Sequence, residues 1–169
     1  ATIDIDRGTA VVTASAGVAL PVLARKTAAC GLTGFEWAVG VPGSIGGAVR
    51  MNAGGHGSDM AASLVAATVF DLGDGTERTL AVDELGLGFR SSGLAPQQVV
   101  FDATLQLQQG DADESARLIG EIVSWRRANQ PGGQNAGSVF VNPVPGEVSA
   151  GALIDAAGLR GYRLGTATV

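Results

Sequence analysis

Residues 34–55 read GFEWAVGVPGSIGGAVRMNAGG, and this stretch decides how the rest of the chain is interpreted. Six glycines fall between Gly40 and Gly55, where they permit positive φ and let a ligand approach the backbone. Pro42 stiffens the loop, and Ser44 can cap a helix that begins at Ile45. A glycine-rich turn that enters a helix presents N–H groups and the positive end of a dipole. That arrangement suits a phosphate.

Two interpretations of this stretch stay open on the residues alone. The spacing of Gly40, Gly43, Gly46 and Gly47 is not the dinucleotide fingerprint G-x-G-x-x-G, and no Gly-Lys-Ser/Thr follows as in a P-loop. The stretch therefore predicts either a phosphate or nucleotide site, or a tight structural crossover in which small residues let backbones pack closely.

Composition narrows the classes of function. The 169 residues are 46% hydrophobic and 16% charged, which argues against disorder. A net charge of −5 disfavours a general nucleic-acid surface. The single cysteine, Cys30, cannot build a disulfide framework and is expected to be a small buried hydrophobe, which favours a reducing, cytoplasmic setting. The single histidine, His56, has no metal-ligating cluster around it, so we expect a solvated loop residue and no metal site.

The pattern along the chain predicts an α+β fold with a mixed sheet. Alternating runs predict strands at 2–6, 10–15, 63–71, 76–82 and 98–108, with turns at 6–8 and 73–75. No run of about 18 apolar residues is present, so no membrane span is expected. The chain opens on a strand and stops at an uncapped one, so we expect a fragment of a larger protein.

Four helices are expected from apolar spacing and end signals. Residues 20–31 carry Pro21 in the first turn and Gly31 at the end, and a short helix follows at about 44–53. Residues 111–129 have an acidic start and a basic end, and residues 149–161 form the last helix. On the third helix the expected buried stripe is Leu118, Ile119, Ile122, Val123 and Trp125. Pro131 begins a linker, so the predicted domains are 1–130 and 131–169.

Three separated segments together resemble one enzyme family. The segment GFEWAVGVPGSIGGAVRMNAGGHG at 34–57 resembles the flavin loop of UDP-N-acetylenolpyruvoylglucosamine reductases, the MurB-type enzymes. LGFRSSGL at 87–94 is similar to their Gly-Tyr/Phe-Arg-x-Ser element. The run from Arg126, which contains QPGG, GSVFVNP and AGALIDAAGLRG, resembles their Gln-Pro…Gly-Ser-Val-Phe-x-Asn-Pro…Ala-Gly-Leu pattern. The order of the three segments is also that of the family.

The resemblance implies a partial VAO/PCMH-type FAD-binding domain followed by part of the small α/β MurB C-terminal substrate domain. It implies FAD as cofactor and NADPH as reductant, with reduction of UDP-N-acetylglucosamine enolpyruvate to UDP-N-acetylmuramate for peptidoglycan. Hydride reaches the enolpyruvyl β-carbon, and an acid then protonates the neighbouring carbon. The alternative is a non-catalytic nucleotide-binding or interaction module that retains the fold. The oligomeric state is not determined by the sequence.

By motif, Arg90 matches the family's catalytic arginine, which holds the enolpyruvyl carboxylate as negative charge grows there. Ser138 matches its catalytic serine, the proton donor. Arg126 and Asn142 match substrate-binding residues. The residues expected to contact flavin are Gly40, Val41, Pro42, Gly43, Ser44, Ile45, Gly46, Gly47, Asn52, Ala53 and Gly54, whose backbone N–H groups would face the pyrophosphate.

The chain departs from the family pattern in several places. The Gly-Gly-Gly-Ser-Asn flavin loop and the C-terminal catalytic glutamate of the family have no counterpart, so we expect the fragment alone to be inactive. Asn129 and Val141 stand where the family often has a basic residue. Both changes remove positive charge that would otherwise meet the substrate diphosphate. Trp37 and Trp125 are expected to be core anchors and not flavin-stacking groups.

Overall fold

The computed structural model describes residues 1–130, 139–144 and 147–169. They divide into two compact units, Ala1–Gln130 and Pro131–Val169. The strands are β1 (Ile3–Asp6), β2 (Val11–Ser15), β3 (Leu32–Thr33), β4 (Gly54–Gly55), β5 (Ser58–Asp59), β6 (Leu64–Asp71), β7 (Thr76–Ala81), β8 (Gln98–Gln106), β9 (Gln108–Gln109), β10 (Arg163–Leu164) and β11 (Ala167–Thr168). The helices are α1 (Leu20–Ala29), α2 (Ile45–Met51), α3 (Ala112–Asn129) and α4 (Ala150–Ala156), with short 3-10 helices at Glu36–Gly40 and Met60–Ala62.

The first unit is built on a five-stranded sheet in the order β1-β2-β8-β6-β7. Every neighbouring pair in it is antiparallel, so the predicted mixed sheet is wrong. Two of its pairs, β1–β2 and β6–β7, are hairpins, which fixes them as antiparallel. β8 lies between the two hairpins and runs antiparallel to both β2 and β6. Periodicity predicts strands but does not report this direction.

One face of the sheet packs on α2, and α1 packs on α3 and on the 3-10 helix at Glu36–Gly40. Alternate sheet residues such as Val12, Ala14, Ala103 and Leu105 are fully buried there, as the period of two requires. On α1 the apolar residues Leu20, Leu23, Ala24 and Ala28 share one helical face and are all buried, in agreement with the helix predicted from apolar spacing. Burial of these apolar side chains supplies the main stabilisation of the unit.

The helix ends follow the sequence signals closely, with one exception. Ser44 Oγ accepts from Gly47 N at 3.4 Å, and Asp111 Oδ1 accepts from Glu114 N at 2.8 Å, so both helices are capped as side-chain chemistry predicts. The last helix is shorter than predicted and ends at Ala156 instead of residue 161. Gly158 adopts a φ of +70°, a left-handed conformation that stops a helix.

The buried stripe of α3 also needs correction. Ile119 is buried and Ile122 and Val123 are partly buried, but Trp125 is 52% exposed. Trp37, by contrast, is 4% exposed and packs edge-to-face on Phe35, as a core anchor should. Trp125 instead meets His56 in a T-shaped contact, with ring centroids 5.3 Å apart. It therefore belongs to the surface around the glycine-rich stretch and not to the core.

A buried carboxylate joins α3 to the segment before the glycine-rich loop. Glu36 is 8% exposed, and its oxygens accept from Thr33 Oγ1 (2.7 Å), Gly34 N (2.8 Å) and Ser115 Oγ (2.6 Å). Burial alone would raise the pKa of Glu36, but these hydrogen bonds outweigh it and hold the pKa below its ordinary value. The ionised form is thus the one the fold stabilises.

The first prediction concerns close backbone approach at Gly46. A Cβ there would lie 2.8 Å from Ala16 Cβ, so Gly46→Ala is expected to lower the free energy of unfolding by about 1–3 kcal/mol. Gly120, inside α3, has open space at its Cβ position, and Gly120→Ala is expected to raise the free energy of unfolding by about 0.5–1 kcal/mol. Urea unfolding of the purified variants measures both. Equal effects of the two changes would contradict the packing argument.

The second prediction is a pH dependence set by Glu36. Because its folded pKa is depressed, its stabilising contribution is complete above the ordinary glutamate pKa of about 4.3 and is lost as pH falls through the folded value. Glu36→Gln turns an amide donor toward the donors around it, so the free energy of unfolding should fall by about 1–3 kcal/mol at neutral pH. The deficit should shrink in acid.

Urea unfolding between pH 7 and pH 3 measures this difference. Glu77→Gln, at an exposed position on β7, is the control and should change stability by less than about 0.5 kcal/mol. A Glu36→Gln deficit that stays constant across the whole range would show that the carboxylate does not titrate in this window.

Candidate functional site

The glycine-rich loop is fixed by backbone hydrogen bonds to the residues between β2 and α1. Leu20 N donates to Gly43 O at 3.0 Å, and Ile45 N donates to Val18 O at 2.9 Å. These two bonds flank an antiparallel bridge between Ala19 and Ser44. In such a pair the two enclosed residues turn their own N–H groups away from the partner strand. The loop is therefore held from one side and open on the other.

Some backbone N–H groups of the loop donate hydrogen bonds within the protein, and others have no partner in the described part of the chain. Val41, Ile45 and Gly46 donate to backbone carbonyls, and Gly47 donates to Ser44 Oγ. Within the described residues, Gly43 N and Ser44 N make no hydrogen bond. The expectation that the N–H groups throughout 40–47 face a pyrophosphate is too broad, because most of them hold the loop in place.

The glycines of the stretch also divide into two groups. Some are required by packing: a Cβ on Gly40 would lie 3.0 Å from Arg126 Cδ, and one on Gly54 would lie 2.7 Å from Ser58 O. Gly43 has a φ of +150° and open space around its Cβ position. The close-packing interpretation therefore holds at Gly40 and Gly54, whereas the phosphate interpretation stays a prediction for the open loop at Gly43. Two adjacent free donors beside an open glycine fit a phosphate oxygen of a dinucleotide.

After α2 the chain forms a tight hairpin, residues 54–59, in which β4 pairs with β5. Asn52 ends α2 in a left-handed conformation, with φ +37°, and is buried. Its carboxamide makes hydrogen bonds to the hairpin and to the turn at 88–91. The sequence predicted Asn52 as a flavin contact, whereas the structure shows its side chain bonded to protein.

Arg90 lies in that turn and faces the hairpin. Gly88 and Ser91 exchange backbone hydrogen bonds around it, and Arg90 itself has φ +54°. Its Nη2 donates to Gly54 O at 3.0 Å, and its guanidinium lies 5.5 Å from the centroid of the Phe89 ring. Arg90 is exposed, so one hydrogen bond orients the guanidinium and its remaining donors stay open to a ligand.

A cleft of about 420 Å³ is lined by the 54–59 hairpin together with Phe89 and Arg90. Of the predicted flavin contacts, Asn52 and Gly54 line it. Three of the four non-glycine residues with positive φ in the described chain surround this region: Asn52, His56 and Arg90. Backbone strain of this kind persists where surrounding contacts over-determine it and is concentrated at functional sites.

A second arginine, Arg126 of α3, packs against Gly40 together with His56 from the tip of the same hairpin. Gly40 packs so closely that a Cβ on it would lie 3.1 Å from His56 Nε2 and 3.0 Å from Arg126 Cδ. Trp125 also contacts His56. The predicted substrate residue Arg126 is thus next to the glycine-rich loop. His56 is exposed, as the sequence predicted, but its contact with Trp125 was not predicted, because 69 positions separate the two residues and no local pattern joins them.

The other two predicted residues belong to the second unit. Asn142 Oδ1 accepts from Ala150 N at 3.1 Å, so it ties the segment before α4 to the start of that helix. Ser138 lies outside the described residues, and its predicted role stays a prediction. In the described part of the chain no three His, Cys, Asp or Glu side chains gather as a metal site would require. No described helix is both long enough and apolar enough to cross a bilayer.

Comparison with known proteins identifies both parts of the chain. A family model described as an FAD binding domain matches residues 1–81. A second, described as the C-terminal domain of UDP-N-acetylenolpyruvoylglucosamine reductase, matches residues 128–169. Together they bear out the predicted succession of an FAD-binding fold and a MurB-type C-terminal fold.

Several relatives carry the name UDP-N-acetylenolpyruvoylglucosamine reductase. The protein of Synechococcus sp. (strain RCC307) is 43% identical over 168 residues, which is 98% of this chain and 54% of the relative. That of Trichormus variabilis is 47% identical over 97% of this chain and 50% of the relative. The chain spans about half the length of the curated relatives it matches.

A solved structure agrees with these matches. The crystal structure of UDP-N-acetylenolpyruvylglucosamine reductase (MurB) from Thermus caldophilus superposes with a TM-score of 0.83 at 41% sequence identity. The match covers 93% of this chain and 57% of the other. The family models, the relatives and the fold agree, and nearly the whole chain is similar to UDP-N-acetylenolpyruvoylglucosamine reductases, of which it spans about half the length.

Proposed function

We propose that this chain is part of an FAD-dependent reductase that uses NADPH to convert UDP-N-acetylglucosamine enolpyruvate into UDP-N-acetylmuramate, a cytoplasmic step of peptidoglycan precursor synthesis. The relatives' names and the FAD-binding family model support the reductase class and the cofactor. The observation that carries the proposal is the position of Arg90. Its guanidinium is held by Gly54 O at the edge of an open cleft beside the glycine-rich stretch.

The loop residues would bind the cofactor through their backbone. Gly43 N and Ser44 N are adjacent donors with no protein partner among the described residues, and they suit a pyrophosphate oxygen. Bound FAD would supply hydride transfer, which no side chain of the protein can perform. The exposed, left-handed backbone at Gly43 lets a ligand approach without meeting a side chain.

Arg90 would hold the carboxylate of the enolpyruvyl group. Negative charge spreads onto this carboxylate when a hydride adds to the distal carbon, so a fixed cation there stabilises the transition state more than the ground state. The planar guanidinium can grip two oxygens at once while its Nη2 keeps the bond to Gly54 O. Arginine also keeps its charge throughout the working pH range.

Ser138 would return a proton to the carbon next to the carboxylate. A serine hydroxyl is a weak acid in water, but it serves where the acceptor is a strongly basic carbanion and water is excluded. Arg126 and Asn142 would contact the sugar nucleotide. Because Asn142 Oδ1 is engaged by Ala150 N, its contribution to a ligand would come from Nδ2.

The alternative is a module that keeps this fold and binds a nucleotide without turnover. Asn129 and Val141 motivate this alternative, because they lack the positive charge expected to meet the substrate diphosphate. A protein that binds this substrate poorly could keep the fold without catalysing its reduction. The full-length protein distinguishes the two. Yellow protein that oxidises NADPH only when the enolpyruvyl sugar nucleotide is present supports the reductase, whereas a colourless protein that takes up no FAD excludes it.

The third prediction tests Arg90 in the full-length protein. Arg90→Ala should lower the rate of enolpyruvyl reduction by about 10²–10³-fold, because it removes the charge that stabilises the growing carboxylate negative charge. NADPH should still reduce the flavin at close to the normal rate. Stopped-flow absorbance separates the two half-reactions. The control is Arg78→Ala, which changes an exposed arginine paired with Asp74. A rate of substrate reduction in Arg90→Ala equal to that of the wild type would contradict the role assigned to Arg90.

The fourth prediction concerns Ser138, whose role rests on its motif. Ser138→Ala should lower kcat for the enolpyruvyl substrate by about 10²–10⁴-fold and leave KM nearly unchanged, because only proton delivery is lost. Flavin reduction by NADPH serves as the internal control. Ser138→Cys, which keeps an acidic hydrogen, should recover part of the rate. An alanine variant with normal kcat would show that another group donates the proton.

A further inference from the structure

The side chain of Asn52 joins three segments of the first unit. Its Oδ1 accepts from Ala61 N at 2.9 Å, and its Nδ2 donates to Asp59 Oδ2 at 3.2 Å and to Gly88 O at 3.1 Å. The residue is 6% exposed. Both amide hydrogens and the carbonyl oxygen are therefore used inside the protein.

The orientation of this carboxamide is fixed by its partners. A backbone N–H faces the oxygen, while a carboxylate and a backbone carbonyl face the nitrogen, so a flipped amide would set oxygen against two acceptors. The residue type is equally constrained. Asn52 stands at φ +37°, where asparagine is tolerated better than other non-glycine residues, and aspartate would offer no donor to Asp59 or Gly88.

Asn52 and Arg90 form a reciprocal cross-link between two segments. Asn52 reaches from 52–54 to the carbonyl of Gly88, and Arg90 reaches from 88–91 back to the carbonyl of Gly54. Gly88 and Ser91 close the turn in which Arg90 adopts φ +54°. The position of the guanidinium therefore depends on where Asn52 holds this turn.

We propose that Asn52 is a positioning residue for Arg90 and not a contact to the cofactor. A hydrogen bond donated by Asn52 Nδ2 to flavin would have to break its bond to Asp59 or to Gly88 and leave a partly buried acceptor unsatisfied, which is costly. The existing geometry needs no such exchange. This inference rests on the proposed function, which gives Arg90 its role. The pair of hydrogen bonds from Asn52 to Gly88 O and from Arg90 to Gly54 O, here called the tether, is a property of the fold alone.

Two substitutions in the full-length protein test the tether. Asn52→Asp is isosteric, tolerates the left-handed backbone, keeps the acceptor for Ala61 N and loses both donors. Asn52→Gly relieves the backbone and removes the side chain altogether. Leu23→Ala, in the buried face of α1, is the control for general loss of stability. FAD affinity, the rate of flavin reduction by NADPH and the rate of enolpyruvyl reduction are measured separately at saturating FAD.

We expect both Asn52 variants to lower enolpyruvyl reduction by about 10²-fold, the effect of misplacing one catalytic group by about 1 Å. FAD affinity and flavin reduction should stay within about twofold of the wild type, and Leu23→Ala should keep its substrate rate. In an Arg90→Ala background, Asn52→Gly should cause no further loss, because its effect passes through Arg90. A loss of equal size in both backgrounds, or weakened FAD binding with a normal substrate rate, overturns the inference.

Hydrogen exchange supplies a readout that needs no activity. Peptides covering 86–94 should exchange about tenfold faster in the Asn52 variants, while β8 keeps its wild-type protection. Unchanged exchange in 86–94 overturns the inference even if the rate falls. If the wild-type protein does not reduce the sugar nucleotide at all, the proposed function fails. Faster exchange in 86–94 would then still support the tether.

Discussion

The close backbone approach between the glycine-rich loop and the residues before α1 is the constraint on which the site depends. Gly46 N donates to Ala16 O, and no larger residue fits at position 46 without moving Ala16. This contact fixes where α2 begins relative to β2. It also decides which N–H groups of the loop are hydrogen-bonded within the protein, and those of Gly43 and Ser44 have no partner among the described residues.

The position of α2 in turn determines where the segments that line the cleft lie. The left-handed end of α2 at Asn52 directs the chain into the 54–59 hairpin, and Asn52 ties this hairpin to the turn that carries Arg90. The tip of the hairpin lies against Gly40, where Arg126 also packs. A series of short contacts thus connects the glycine-rich loop with Arg90 and Arg126.

Much of the local structure could be predicted from the sequence because its causes are local. Ser44 and Asp111 cap their helices, Pro21 stands in the first turn of α1, and 73–75 turns a hairpin. The direction of β8 in the sheet could not be predicted, since strand periodicity carries no information on it. Trp125 was misassigned for a similar reason: a helical repeat shows that a face is apolar but not what covers each residue along it.

The motifs around Arg90 and the glycine-rich stretch are contained in the sequence, and with them the resemblance to a known family and the choice of candidate residues. What each residue does there was decided by tertiary structure. Asn52 occurs in a flavin-loop motif, yet its hydrogen bonds go to Asp59, Ala61 and Gly88, the last 36 positions away. Hydrogen-bond partners so distant in sequence are set only when the backbone folds back on itself, and a linear pattern does not encode that geometry.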